Sequence, residues 1–272
     1  MKTLIGIFLI GHLIADFLLQ SATMAELKKE RKKYWIGHSV IYAVIFIVLS
    51  FVCLTPKFAA IYSGTIAITH CIVDLLRIII DKKTTNKPKI QFVLFVVDQI
   101  IHISIIFVLY FLLNLNTHFS EFYCKLIAFS NFSNIVLYIL LFLSITNPSA
   151  VFVKKLLNML FTTDEVKKQS PTSSNKKKQD KKTTGQKDDE QNDNETNDNQ
   201  NIGFTIGILE RVIIAVLLLC NQYSAIGLVL TAKSIARFKQ LEKRDFAEKY
   251  LIGTLASLLI SLIATIIIEK LL

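Results

Sequence analysis

Residues 11–20 read GHLIADFLLQ and place a histidine and a carboxylate inside an apolar segment of about membrane-spanning length. Burying an ionisable side chain in hydrocarbon costs about 2.5–3.5 kcal/mol even on lenient insertion scales, so such residues face a partner or a cavity. His12 and Asp16 are four residues apart, which puts them on one face of a helix, and Gln20 continues that face one turn further. The stretch therefore predicts a membrane helix with one polar face.

The same spacing of histidine and aspartate occurs twice more. His70 and Asp74 repeat the order of the first pair, and Asp98 and His102 have the same spacing in reverse. If the third pair lies on a helix that runs in the opposite direction, all three aspartates fall in one layer, with the histidines about one turn deeper in the membrane. The pattern predicts a single polar layer inside a helix bundle.

The composition is that of a membrane protein. The chain has 272 residues, of which 52% are hydrophobic, and its mean hydropathy is +0.48. Its apolar runs approach the roughly 20 residues that a bilayer core requires. The formal charge is +10, but the lysines lie in the loops between apolar runs, which indicates a positive-inside topology rather than a nucleic-acid partner. We therefore predict an all-α, polytopic integral membrane helix bundle in the bacterial cytoplasmic membrane.

Basic and neutral loops alternate and predict about eight spans, with both termini outside. These spans cover residues 3–21, 36–54, 58–80, 90–113, 121–145, 203–221, 223–239 and 249–268. Residues 163–201 contain almost no apolar side chain and are predicted to be a disordered cytoplasmic linker, a candidate contact for a cytoplasmic protein. The predicted parts are an N-terminal bundle over 1–146, an interfacial amphipathic helix over 147–162, the linker over 163–201 and a three-span unit over 202–272.

Histidine nitrogens and carboxylate oxygens are donors that suit one or two divalent ions of the Zn²⁺, Mn²⁺ or Fe²⁺ type. The candidate ligands are His12, Asp16, His70, Asp74, Asp98 and His102; Asp16, Asp74 and Asp98 are also candidate catalytic groups, and Gln20, His38, Arg77 and Gln99 are accessory. The leading hypothesis is a metal site that hydrolyses a lipid-linked or phosphate ester substrate. The alternatives are a proton- or cation-coupled transporter that uses the same residues as a relay, and a structural membrane partner protein in which His–Asp hydrogen bonds only hold helices together.

The last three predicted spans carry charges of their own. Glu210 and Arg211 lie in one span, and Lys233 and Arg237 lie at matching depth in the next. An ion pair from Glu210 to Lys233 or Arg237 is the structural interpretation, and a basic rim that binds lipid phosphate is the functional one.

These residues resemble a known family. The stretch 11–20, the segment from Thr69 to Asp74, and Asp98-Gln99 with His102 are similar to the bacterial multi-spanning membrane family catalogued as domain-of-unknown-function family 3307, over roughly residues 3–115. Residues 232–238 and 247–255 resemble the C-terminal half of its longer members. The resemblance implies a membrane location and no established activity. The residue types are also similar to those of bacterial inner-membrane metal-dependent hydrolases with intramembrane His and Asp.

Overall fold

The computed structural model describes residues 2–84, 87–168 and 189–272, and within these ranges it leaves the side chains of residue 22 and of residues 162–202 undescribed. No β-strand occurs in the described part, which confirms the all-α class. The predicted linker over 163–201 lies outside the residues whose side chains are described and stays a prediction. The helices are α1 Lys2–Leu13, a π-helix Ile14–Leu18, α2 Ala22–Leu27, α3 Lys32–Cys53, α4 Pro56–Lys83, α5 Pro88–Leu112, α6 Glu121–Ile127, α7 Phe132–Ile145, α8 Asn147–Lys168, α9 Asp189–Leu219, α10 Tyr223–Ala236, α11 Phe238–Leu241 and α12 Arg244–Leu271, with a 3₁₀ turn at Leu115–Thr117.

Five helical stretches of the described residues are long and apolar enough to cross a membrane: Lys32–Cys53, Pro56–Lys83, Pro88–Leu112, Phe132–Phe161 and Arg244–Leu271. Many large apolar side chains on the outside of the bundle are exposed, which fits lipid as the surrounding medium rather than water. The predicted count of about eight spans is not confirmed. The first predicted span is instead a 12-residue α-helix followed by the π-helix, and the fifth is divided between α6 and α7.

Prolines set the starts of two long helices. Pro56 begins α4 and Pro88 begins α5. Proline suits the first helical turn because the N–H that it lacks has no helical partner there.

The N-terminal helices pack around one core. Helix α1 contacts α3, α5 and α7, α3 packs along α4, and α4 packs along α5. Phe8, Tyr42, Phe46 and Tyr62 are almost fully buried in this core, where the ring of Tyr42 stacks on that of Phe46 and the ring of Phe8 packs at a tilt against that of Tyr62. Gly11 permits the close approach of α1 to α3, because a Cβ atom at this position would overlap the side chain of Leu49.

The apolar stretch Phe132–Phe161 is interrupted between α7 and α8. Pro148 has no N–H to donate to the carbonyl of Ser144, and the hydroxyl of Ser149 donates to that carbonyl instead, at 2.7 Å. The guanidinium of Arg211, which is only 2% exposed, donates from Nε and from a terminal nitrogen to the next two carbonyls, those of residues 145 and 146, at 2.5 and 3.2 Å. The carbonyl of residue 146 also accepts the backbone N–H of residue 150 at 3.1 Å, so the side chain from α9 adds to the backbone donors at residue 146 and supplies a donor at residue 145.

Asn147, at the same break, connects it to the N-terminal helices. Its side-chain amide donates to the carbonyl of Phe17 at 3.1 Å. Phe17 lies in the last turn of the π-helix, where backbone carbonyls lack a helical partner. The break therefore contacts the backbone directly beside Asp16.

Candidate metal centre

The π-helix Ile14–Leu18 presents Asp16 to the interior of the N-terminal bundle. The Nε2 atoms of His38 and His70 each lie 3.5 Å from the same carboxylate oxygen, Oδ1 of Asp16. The side chains of the two histidines are 2% exposed and that of Asp16 is 8% exposed. Oδ1 of Asp16 has no hydrogen-bond partner among the described residues. Single π-turns inside α-helices are frequent at functional sites, and this one carries the acidic group of the cluster.

The neighbouring helices place the two histidines on faces that are otherwise apolar. His38 lies one turn before Tyr42 and two turns before Phe46 on the buried face of α3. His70 follows Ile66 by one turn on the buried face of α4. An i, i+4 pattern that buries apolar residues thus carries each imidazole into the core together with them.

The spacing of these three groups suits a metal ion. One ligand atom from each of Asp16, His38 and His70 lies within 4.8 Å of the others. Tetrahedral zinc with ligands at about 2.0–2.1 Å places its ligand atoms about 3.3–3.4 Å from one another. The two 3.5 Å separations from Asp16 are close to that value. Three ligands from the chain would leave a fourth position of such an ion open, as in catalytic zinc sites.

Aromatic rings enclose this group. The ring of Tyr42 stacks on that of His70 with centroids 3.6 Å apart. His102 lies 4.8 Å from His70 and 5.6 Å from His12, measured between ring centroids. Four of the five histidines of the chain therefore gather around Asp16.

Two of these histidines use their nitrogens in other contacts. His12 lies 3.8 Å from Oδ2 of Asp16, while its Nε2 lies at hydrogen-bond distance, 3.2 Å, from Oε1 of Gln99. His102 bonds through Nδ1 to the backbone carbonyl of Asp98 at 2.8 Å. Both rings pack around the carboxylate without joining the three-residue group.

The other two predicted carboxylate ligands are occupied by cations. Nζ of Lys28 lies 2.6 Å from Oδ1 of Asp74, and the guanidinium of Arg77 pairs with Asp98. No role for Lys28 was predicted from the sequence, because this residue lies in one of the basic loops that were interpreted only as a topology signal. The structure thus brings the three His–Asp pairs together but gives the aspartates different surroundings.

The four predicted accessory residues divide between the three-residue group and the residues that surround it. His38, predicted as accessory, lies in the central group, whereas Arg77 and Gln99 contact Asp98 and His12. Gln20, with its amide oxygen towards Lys28, accepts from that lysine at 3.0 Å and donates to the carbonyl of Asp16 at 3.2 Å.

The C-terminal charges form a separate cluster. Lys233 pairs with Glu210 and also donates to the hydroxyl of Thr254 at 3.0 Å. Arg211 bonds to the α7–α8 break rather than to an acid, and no ion pair of Arg237 occurs among the described residues. Of the two predicted pairs, the geometry contains the one with Lys233.

Residues 4–130 match the family described as Protein of unknown function (DUF3307). The matched segment contains Asp16, His38 and His70 together with all the residues that surround them on α1 to α5. The match confirms the similarity predicted from the His–Asp stretches and, by the description of the family, brings no activity with it. No curated protein and no solved structure matches the chain.

Proposed function

We propose that the protein is a membrane metalloprotein that binds one divalent transition-metal ion through Asp16, His38 and His70. The observation that carries the proposal is that one buried carboxylate oxygen lies 3.5 Å from the Nε2 atoms of two buried histidines. This distance is long for a hydrogen bond and close to the separation of two ligands on one metal ion. A buried carboxylate oxygen that lacks a hydrogen-bond partner, as Oδ1 of Asp16 does among the described residues, is costly, and a cation would offset that cost.

We further propose that the site acts on a lipid-linked or phosphate ester substrate from the cytoplasmic leaflet of a bacterial inner membrane. A metal ion with two imidazoles and one carboxylate would supply Lewis-acid chemistry at its open position. Tyr42 packs against His70 and its hydroxyl lies 3.5 Å from Nδ1 of His12, so this ring limits how far the imidazoles can move. Lys28 and Arg77, which pair with Asp74 and Asp98, place two cations beside the cluster, where their charge would attract an anionic substrate.

Elemental analysis of the detergent-purified protein tests the metal site. We expect about one equivalent of zinc, manganese or iron in the wild type, since the described part of the chain contains one three-residue group of this kind. His38→Ala and His70→Ala should each lose that metal, because each removes one of only three ligands.

His102→Ala is the matched control, since its ring lies in the same aromatic cluster but outside the three-residue group. It should retain the metal. A folded wild type without metal, or equal loss in all three variants, would refute the site.

One observation favours a second candidate, a proton pathway. The Nδ1 atoms of His38 and His70 and the Nε2 atom of His102 have no hydrogen-bond partner among the described residues. Ligating histidines usually donate from the nitrogen that does not bind metal, so free nitrogens on adjacent rings suit a relay as well. Proton flux into liposomes that contain the protein, compared with Asp16→Asn, decides between the two. Flux that stops in this variant, from a protein that purifies without metal, would establish the relay in place of the metal site.

A further inference from the structure

Lys155 on α8 is a half-buried cation without an acidic partner. No carboxylate of the described residues lies within ion-pair distance of its ammonium group, although its electrostatic neighbours include Arg77, Lys29 and Asp81. Its Nζ lies 5.3 Å from the centroid of the Phe95 ring, and the guanidinium carbon of Arg77 lies 5.7 Å from the same centroid. Two cations of different helices thus converge on one buried aromatic ring.

The acidic residues nearby are already shared among other cations. Oδ2 of Asp81 lies 3.3 Å from Nζ of Lys29 and 3.8 Å from Nε of Arg77. A terminal nitrogen of Arg77 pairs with Asp98. Like charges held together in a partly buried place repel one another, so this arrangement is stabilised by an added anion. Lys155 is the cation of this cluster for which no ion pair occurs among the described residues.

The cluster lies at the basic end of the bundle. Arg77 follows His70 by seven residues on α4, which is about two turns or 10 Å along the helix. The same end carries residues 28–33, 82 and 83, most of which are basic. A lipid headgroup or free anion that enters from this end would therefore contact Lys155 before it contacts the histidines.

We propose that Lys155, with Arg77 and Lys29, forms a binding site for one phosphate group, either the headgroup of an anionic lipid or a free phosphate. The site binds through three donors from three parts of the chain: the segment after α2, helix α4 and helix α8. Ammonium and guanidinium groups both suit phosphate, the latter through paired N–H donors. The proposal rests on these contacts alone and holds whether or not the Asp16 group binds metal.

Native mass spectrometry of the full-length protein, titrated with phosphatidylglycerol or with phosphatidylcholine, tests the site. We expect one phosphatidylglycerol to bind more tightly than the rest and more tightly than phosphatidylcholine. Lys155→Gln should weaken this binding event about 10-fold or more, as expected for the loss of one charge-assisted hydrogen bond. Lys155→Arg should retain it, which separates lost charge from lost folding.

Lys154→Gln is the matched control, because it removes the same charge from the exposed neighbour on the same helix. It should leave the tight binding event unchanged. Equal weakening by both glutamine variants would show diffuse attraction to the basic surface and overturn the site, as would unchanged binding in Lys155→Gln. Added inorganic phosphate distinguishes the two sources: displacement of the lipid assigns the site to the phosphate group alone, and no displacement assigns it to the lipid.

Discussion

The Asp74→Asn variant separates metal binding from structural charge pairing. The Lys28–Asp74 pair has a 2.6 Å contact, with 12% of the lysine side chain and 4% of the aspartate side chain exposed. Removing one partner of such a buried pair costs about 3–5 kcal/mol, because the other charge stays buried without compensation. Asp74 lies outside the three-residue group. We therefore expect the variant to lose about 3–5 kcal/mol of unfolding free energy while its metal content stays at the wild-type level.

Unfolding in mixed micelles with increasing SDS, followed by circular dichroism, measures the unfolding free energy. Elemental analysis of the same sample measures the metal content. Lys28→Met combined with Asp74→Asn removes both charges, so this double variant should recover a large part of the lost stability. If Asp74→Asn loses its metal while it remains folded, Asp74 is a ligand and the assignment of the three-residue group is wrong. If the double variant is no more stable than Asp74→Asn, the pair is not what holds the two elements together.

Two further predictions concern the α7–α8 break. Arg211→Met removes the side-chain donor to the buried carbonyl of residue 145, whereas the carbonyl of residue 146 keeps the N–H of residue 150, so the variant should cost about 1–3 kcal/mol in the same SDS assay. Arg237→Met, which breaks no hydrogen bond or ion pair among the described residues, should cost little, and equal losses would contradict the capping role. Asn147→Ala removes the hydrogen bond to the carbonyl of Phe17 and should lower the unfolding free energy by only about 0.5–1.5 kcal/mol. It should nevertheless weaken metal retention during dialysis against a chelator, and unchanged retention would argue against the contact as a support for Asp16.

The sequence was sufficient to predict that the polar residues would meet. Ionisable groups in apolar helices need partners, and the repeated four-residue spacing put each pair on one face. The structure places the ring centroid of His102 5.6 Å from that of His12 and 4.8 Å from that of His70, as that argument requires. Spacing along a helix is a local property, and this is why it could be read without the fold.

Which residues of the cluster contact Asp16, and which pair with other charges, could not be predicted in the same way. His38 has no aspartate four residues away, so no local pattern marks it, and its place beside Asp16 depends on how α3 packs against the π-helix. Lys28 lies outside the apolar segments, and its pairing with Asp74 depends on the short helix α2 turning back towards α4. Both contacts are set by the angle and register of neighbouring helices, which hydrophobic periodicity leaves open.

The position of Asp16 depends on residues far away in the sequence. The side chain of Asn147 donates to the carbonyl of Phe17 in the last turn of the π-helix. Asn147 also begins α8, and Arg211 of α9 donates to the two carbonyls that precede this helix. Residues 4–130, which match the family, therefore contact the rest of the chain one residue from the central carboxylate. A rigid support of this kind is what a metal ligand needs, because a small displacement of one ligand is enough to spoil the geometry of a three-ligand group. A change in the C-terminal helices should for this reason affect the metal centre through the backbone of the π-helix, without any direct contact with a ligand.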